Sequence, residues 1–106
     1  MEVQIFEGSE IVTLAVQGEI EVYSLPQFSK LAEAQFGGAK KVMLDLEKLD
    51  YIDSSGLGYI VTLHERLANN GQELVLSNLQ AHVNRVFKIT RLDRILNIVS
   101  GEPVGG

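Results

Sequence analysis

The sequence predicts a single α/β domain. Its core is a mixed, mostly parallel sheet of four to five strands, opened by an amino-terminal antiparallel hairpin and packed with three to four helices. Three observations carry this. Hydrophobic periodicity alternates along the chain between the two-residue repeat of strands and the longer repeat of helices. The first two strand-like runs are separated only by Gly8-Ser9-Glu10, a connection that suits a hairpin. Beyond them strand-like and helix-like runs alternate, as in parallel sheets with crossover helices. A chain of 106 residues with 45% hydrophobic content fits one domain with its own core and no internal linker.

The elements follow in order. Val3 and Ile5 alternate with polar neighbours and predict a short first strand. Ile11 to Val16 is a β-branched run that predicts the second, with Gly18 ending it. Ser24-Leu25-Pro26-Gln27 has the form of a helix start, with Ser24 as cap, proline in the first turn and Gln27 placed to complete a capping box. Leu25, Phe28, Leu31, Ala32 and Phe36 share one helical face, and Gly37-Gly38 is the expected stop. Lys41 to Leu46 predicts a buried strand. A second helix is expected from Ser54 to Asn70, with Leu57, Ile60, Val61, His64, Leu67 and Ala68 inward. Glu73 to Ser77 predicts a strand, Gln80 to Phe87 a shorter helix, and Leu96 to Val99 a last strand. The domain is expected to span residues 1–100, leaving 101–106 as a flexible carboxyl-terminal tail.

Composition narrows the function classes. There are no cysteines, so disulfides, thiolate metal sites and thiol catalysis are excluded. No apolar run approaches the roughly 18 residues of a membrane span. The start, Met1-Glu2-Val3-Gln4, lacks the basic-then-apolar build of a signal peptide, so a cytoplasmic protein with no membrane partner is expected. The net charge of −5 argues against direct nucleic-acid binding. Residues 1–29 carry five glutamates and no lysine or arginine, whereas Arg85, Lys88, Arg91 and Arg94 cluster late; both are read as solvated faces.

The segment that stands out is Asp53-Ser54-Ser55-Gly56-Leu57-Gly58, which leads from a loop at the carboxyl end of the third strand into the second helix. Strand carboxyl ends are where open α/β sheets meet ligands and partners. Helix capping accounts for Asp53-Ser54. It does not account for two glycines in a first helical turn, each costing about 1 kcal/mol relative to alanine. Close approach of another backbone or of a partner surface is the natural compensation.

Catalytic alternatives fail on pattern. No lysine follows the glycines as a phosphate-binding loop requires, and the third glycine of a dinucleotide fingerprint would fall at Val61. A nucleophile elbow would need glycine where Ile52 stands. His64 lies about three turns along the same helix from the serines, too far to act as their base. His82 opens the third helix, where a solvated role is expected. No paired-carboxylate or metal-ligand spacing occurs. No catalytic residue, metal or cofactor is therefore expected.

The block Leu49-Asp50-Tyr51-Ile52-Asp53-Ser54-Ser55-Gly56-Leu57-Gly58 joins four other segments: Gly18-Glu19-Ile20-Glu21, Val42-Met43-Leu44-Asp45-Leu46, Asn70-Gly71-Gln72-Glu73-Leu74 and the stretch from Val83 to Ile98. On these residues the sequence resembles the STAS domain family over almost its whole length, and most of all the free-standing bacterial anti-sigma factor antagonists. The resemblance implies a STAS-like domain and a partner-switching function. The unmodified protein would bind an anti-sigma factor that is also a serine kinase, freeing a sigma factor. Phosphorylation would fall on the serine after the aspartate, Ser54, with Ser55 as second choice, and would end binding; a PP2C-type phosphatase would reset it. Glu21, Asp53, Ser55, Gly56, Leu57 and Gly58 would form the partner surface. Glu21 stands where the family often has aspartate, which keeps the charge but lengthens its reach. The alternative within the family is a scaffold or accessory subunit of a stressosome-like or transporter assembly. The chain is expected to be a monomer or weak dimer.

Overall fold

The computed structural model describes residues 1–99; the expected tail at 101–106 lies outside them. Five strands form one sheet in the order β1-β2-β3-β4-β5, with β1 (Glu2–Glu7), β2 (Ile11–Ile20), β3 (Lys41–Ile52), β4 (Glu73–Ser77) and β5 (Asn97–Val99). The β1–β2 pair is the antiparallel hairpin, closed by a Gly8 N–H to Ile11 carbonyl bond of 2.8 Å. All later pairs are parallel. Three helices connect them: α1 (Leu25–Glu33), α2 (Ser54–Asn69) and α3 (Ala81–Ile89), the last followed by a 3₁₀ turn at Leu92–Arg94. Because each crossover steps to the next strand in the same direction, right-handed connections bring every helix to one face. That face carries Val12, Leu14 and Val16 of β2 and Val42, Leu44 and Leu46 of β3, in one core with Phe28, Ile60, Leu63 and Phe87 from the helices.

Two strands outrun their expected ends, and both extensions reach the helix start that the sequence singles out. β2 does not stop at Val16 or Gly18 but continues to Ile20, with Gly18 at φ +104 and the pairing register slipping on either side of it. Glycine here supplies a positive φ inside a strand rather than a terminus. β3 does not end at Leu46; it runs to Ile52, with Leu49 and Ile52 buried between exposed Glu47, Lys48, Asp50 and Tyr51. That polar stretch resembles a loop in sequence because only its inward positions are apolar.

The helices show three further differences. Helix α1 ends at Glu33, short of Gly37-Gly38, and the expected capping box is not made. The Ser24 hydroxyl instead donates to the Glu19 carbonyl at 2.8 Å and accepts from the Glu21 N–H at 3.0 Å. The buried face of α2 is Gly56, Leu57, Ile60, Leu63 and Leu67; Val61 and His64 are half-buried and Ala68 is exposed. Helix α3 sits one to two residues later than expected, at Ala81–Ile89. Arg85, Lys88, Arg91 and Arg94 are all exposed, as expected of a solvated face.

Candidate functional site

The end of β3 delivers Asp53 in extended conformation (φ −100, ψ −177), and α2 begins at the next residue. Both carboxylate oxygens of Asp53 are engaged. Oδ1 accepts from the Gly56 N–H at 2.9 Å, which caps the helix. Oδ2 accepts from the Val22 N–H at 3.0 Å, across 31 residues of sequence. The Asp53 N–H donates to the Ile20 carbonyl at 3.2 Å, so the ends of β2 and β3 and the start of α2 are bonded together at one residue.

Ser54 and Ser55 occupy the first two positions of α2 and both are exposed. Among the described residues neither hydroxyl makes a hydrogen bond. The Gly56 amide is held by the Asp53 carboxylate and the Leu57 amide by the Asp53 carbonyl at 2.9 Å, leaving the amides of Ser54 and Ser55 as the open donors of this helix start. A phosphate on Ser54 would therefore find two amides and the positive end of the dipole, but also a carboxylate already seated beside them.

The two glycines turn out to serve different purposes. Gly56 is buried where α2 descends onto the strand ends. A Cβ there would lie 2.7 Å from Ile52 Cγ1, 2.9 Å from Ile20 Cγ2 and 2.9 Å from the Ile20 carbonyl oxygen. Its reason is internal packing. Gly58 is exposed, with nothing within 4 Å of such a Cβ, so only there does an outer surface gain room from the missing side chain.

Of the residues expected to face a partner, Ser55 and Gly58 are exposed together with Ser54, Asp53 is half-buried, and Gly56 and Leu57 point into the protein. Glu21 is brought close through Asp53, yet its carboxylate turns inward: Oε1 accepts from the Ser24 N–H at 2.8 Å and Oε2 from the Tyr23 N–H at 3.2 Å. Sequence reasoning passed over the residues most prominent on this surface. Val22 is 53% exposed and Tyr23 89%, side by side in the turn that Asp53 tethers. Apolar residues within a turn were the available signal, but only the tertiary bond to Asp53 places that turn next to Ser54.

The histidines lie elsewhere. His64 is ten positions along α2 from Ser54, about 15 Å of helix. The His82 Nε2 lies 2.6 Å from the Asp50 carbonyl oxygen, joining α3 to β3. Farther along α2, the Tyr59 hydroxyl donates to Glu33 Oε2 at 2.6 Å, and Arg66 pairs with Glu33 Oε1 at 3.0 Å. Burial first, and then the Glu33 carboxylate, raise the Tyr59 phenol above its ordinary range, so it serves as a donor clasping α2 to α1. Among the described residues no group of three or more His, Asp or Glu could hold a metal ion, and no helix is long and apolar enough to cross a membrane.

Comparison with known proteins places this geometry. The anti-sigma-B factor antagonist of Listeria monocytogenes is 35% identical over 97 residues, covering 89% of this chain and 85% of that protein. The protein of the same name from Staphylococcus aureus is 31% identical over 90 residues, covering 84% and 83%. A Thermotoga maritima protein proposed to be an anti-sigma factor antagonist superimposes with a TM-score of 0.83 at 28% identity, covering 91% of this chain and 84% of that one. The family model for the STAS domain matches residues 2–102, and the chain belongs to the STAS domain family.

Proposed function

We propose that this protein is a cytoplasmic anti-sigma factor antagonist that works by partner switching and not as an enzyme. In its unmodified form it binds an anti-sigma factor serine kinase and so releases a sigma factor. Phosphorylation of Ser54 ends that binding, and a PP2C-type phosphatase restores it. The observation that carries the reading is Ser54 itself: an exposed serine with an uncommitted hydroxyl at the first position of α2, next to the carboxylate that organises the surface around it. The relatives named anti-sigma-B factor antagonists support the partner class.

The physical effect of the switch follows from charge. A phosphate adds about −1.5 to −2 charge and three acceptor oxygens. The Ser54 and Ser55 amides can receive part of it, so the fold is retained. In a close-packed complex the same dianion, beside Asp53, lies where a partner must approach. A hundredfold loss of affinity requires only about 2.7 kcal/mol, within reach of one unpaired charge at an interface.

The test uses the serine-kinase anti-sigma factor encoded in the same genome. Incubation with that kinase and ATP, followed by mass spectrometry, is expected to place phosphate on Ser54. Phosphate on neither Ser54 nor Ser55 contradicts the reading. Ser54→Ala is expected to bind the kinase like the wild type, and Ser54→Asp to bind weakly.

A further inference from the structure

We infer that the specificity-determining contact of this surface is an apolar knob formed by Tyr23 with Val22, and that Asp53 and Glu21 are positioning residues that present it. This rests on the partner-switching reading and names the chemistry of the partner's complementary site: an apolar, aromatic-accepting pocket rather than a cationic one.

The turn after β2 is held by its own side chains and by Asp53. Glu21, which would be the obvious charged contact, spends its carboxylate on the amides of Tyr23 and Ser24. Its carbonyl accepts from the Ser24 and Leu25 N–H groups at 3.1 and 2.9 Å. Ser24 closes the other side through its hydroxyl bonds to Glu19 and Glu21. Asp53 then fixes the turn to the helix start by accepting from the Val22 N–H. The backbone amides of 21 to 25 are thereby all used within the protein, while the two side chains between Glu21 and Ser24 are left in solvent.

A fixed backbone carrying two exposed apolar side chains is suited to contact. Tyr23 is the most exposed of the large hydrophobic side chains, and Val22 is next to it in sequence. Tyrosine contributes large contact area with little rotamer freedom to lose, and it is enriched among residues that dominate binding energy. A rigid turn lowers the ordering cost further. A single carboxylate, Asp53, binds both the Val22 backbone amide and the helix turn carrying Ser54, so the exposed side chains of the turn and the exposed serine belong to neighbouring segments tied at one residue. A phosphate on Ser54 then sits beside an apolar contact, where an anion is least compensated.

The experiment combines binding with hydrogen exchange, using the kinase named above as probe. Tyr23→Ala is expected to bind at least roughly thirtyfold more weakly, as a hot-spot truncation does, whereas Tyr23→Phe retains most of the affinity. Asp53→Asn separates the two roles of Asp53. The asparagine oxygen still caps Gly56, but its amide nitrogen cannot accept from Val22. This variant is expected to keep the fold and a cooperative unfolding transition at reduced stability, to show faster exchange at the Val22 amide, and to bind more weakly. If Tyr23→Ala binds like the wild type while Ser54→Asp has lost binding, the knob is refuted and the partner-switching reading stands. If unmodified wild type does not bind the kinase, both fall. Weaker binding by Asp53→Asn with Val22 exchange unchanged refutes the positioning role.

Discussion

At the scale of single residues, the site is organised by Asp53 rather than by the serines it precedes. Its two oxygens reach an amide three residues on and an amide 31 residues back, and that second bond has no signature in sequence. The aspartate as cap was legible, because capping is local chemistry, whereas Ser54 was singled out only by the family resemblance. The inward turn of Glu21 and the prominence of Tyr23 were not, because they depend on where a distant turn comes to rest. The glycines divide in the same way. Gly56→Ala must push a methyl against two isoleucines and a carbonyl, and it is expected to destabilise by about 1–3 kcal/mol. Gly58→Ala meets nothing within 4 Å and should stabilise the helix by up to about 1 kcal/mol. Denaturant unfolding of the two variants checks this, and similar losses in both would contradict the packing account.

At the scale of elements, the order of strands and helices was readable from periodicity, and β4 at Glu73–Ser77 was readable to the residue. The misreadings have physical causes. β3 beyond Leu46 carries exposed pairs, Glu47-Lys48 and Asp50-Tyr51, that resemble a loop, and the slip in pairing beside Lys48 interrupts its two-residue repeat. Helix α2 buries Leu63 and leaves Ala68 outside, a modest rotation that an amphipathic stripe with apolar residues on its margins does not fix. Between α1 and α2 the Tyr59–Glu33–Arg66 cluster makes a prediction about pH. Because folding raises the Tyr59 phenol above its unfolded value, its contribution is fully present below about pH 10, the ordinary tyrosine range, and is lost as the pH rises through the folded value. In thermal unfolding the wild type should therefore lose stability relative to Tyr59→Phe as the pH rises above about 10. A wild-type advantage that grows with pH would contradict this assignment.

At the scale of the whole molecule, three crossovers in one direction pack α1, α2 and α3 on one side of the sheet and bring the carboxyl ends of β2 and β3 together. There the chain places its exposed serine, the tethered turn and the start of α2. On a chain with a net charge of −5, a phosphate would add about −1.5 to −2 of the same sign, and in the proposed switch it is the partner contact that this charge opposes. Local signals such as the cap, the glycines and the hairpin were legible in the sequence; the tertiary bonds that make them one surface needed the fold. In the proposed switch a phosphate at Ser54 abolishes an interaction while leaving the domain intact. The most direct measurement is the affinity of the cognate anti-sigma kinase for protein stoichiometrically phosphorylated at Ser54 and for unmodified protein, with thermal unfolding of both forms alongside. At least a roughly hundredfold loss of affinity is expected, with a cooperative unfolding transition retained. Equal affinities, or a phosphorylated domain that no longer unfolds cooperatively, would contradict it.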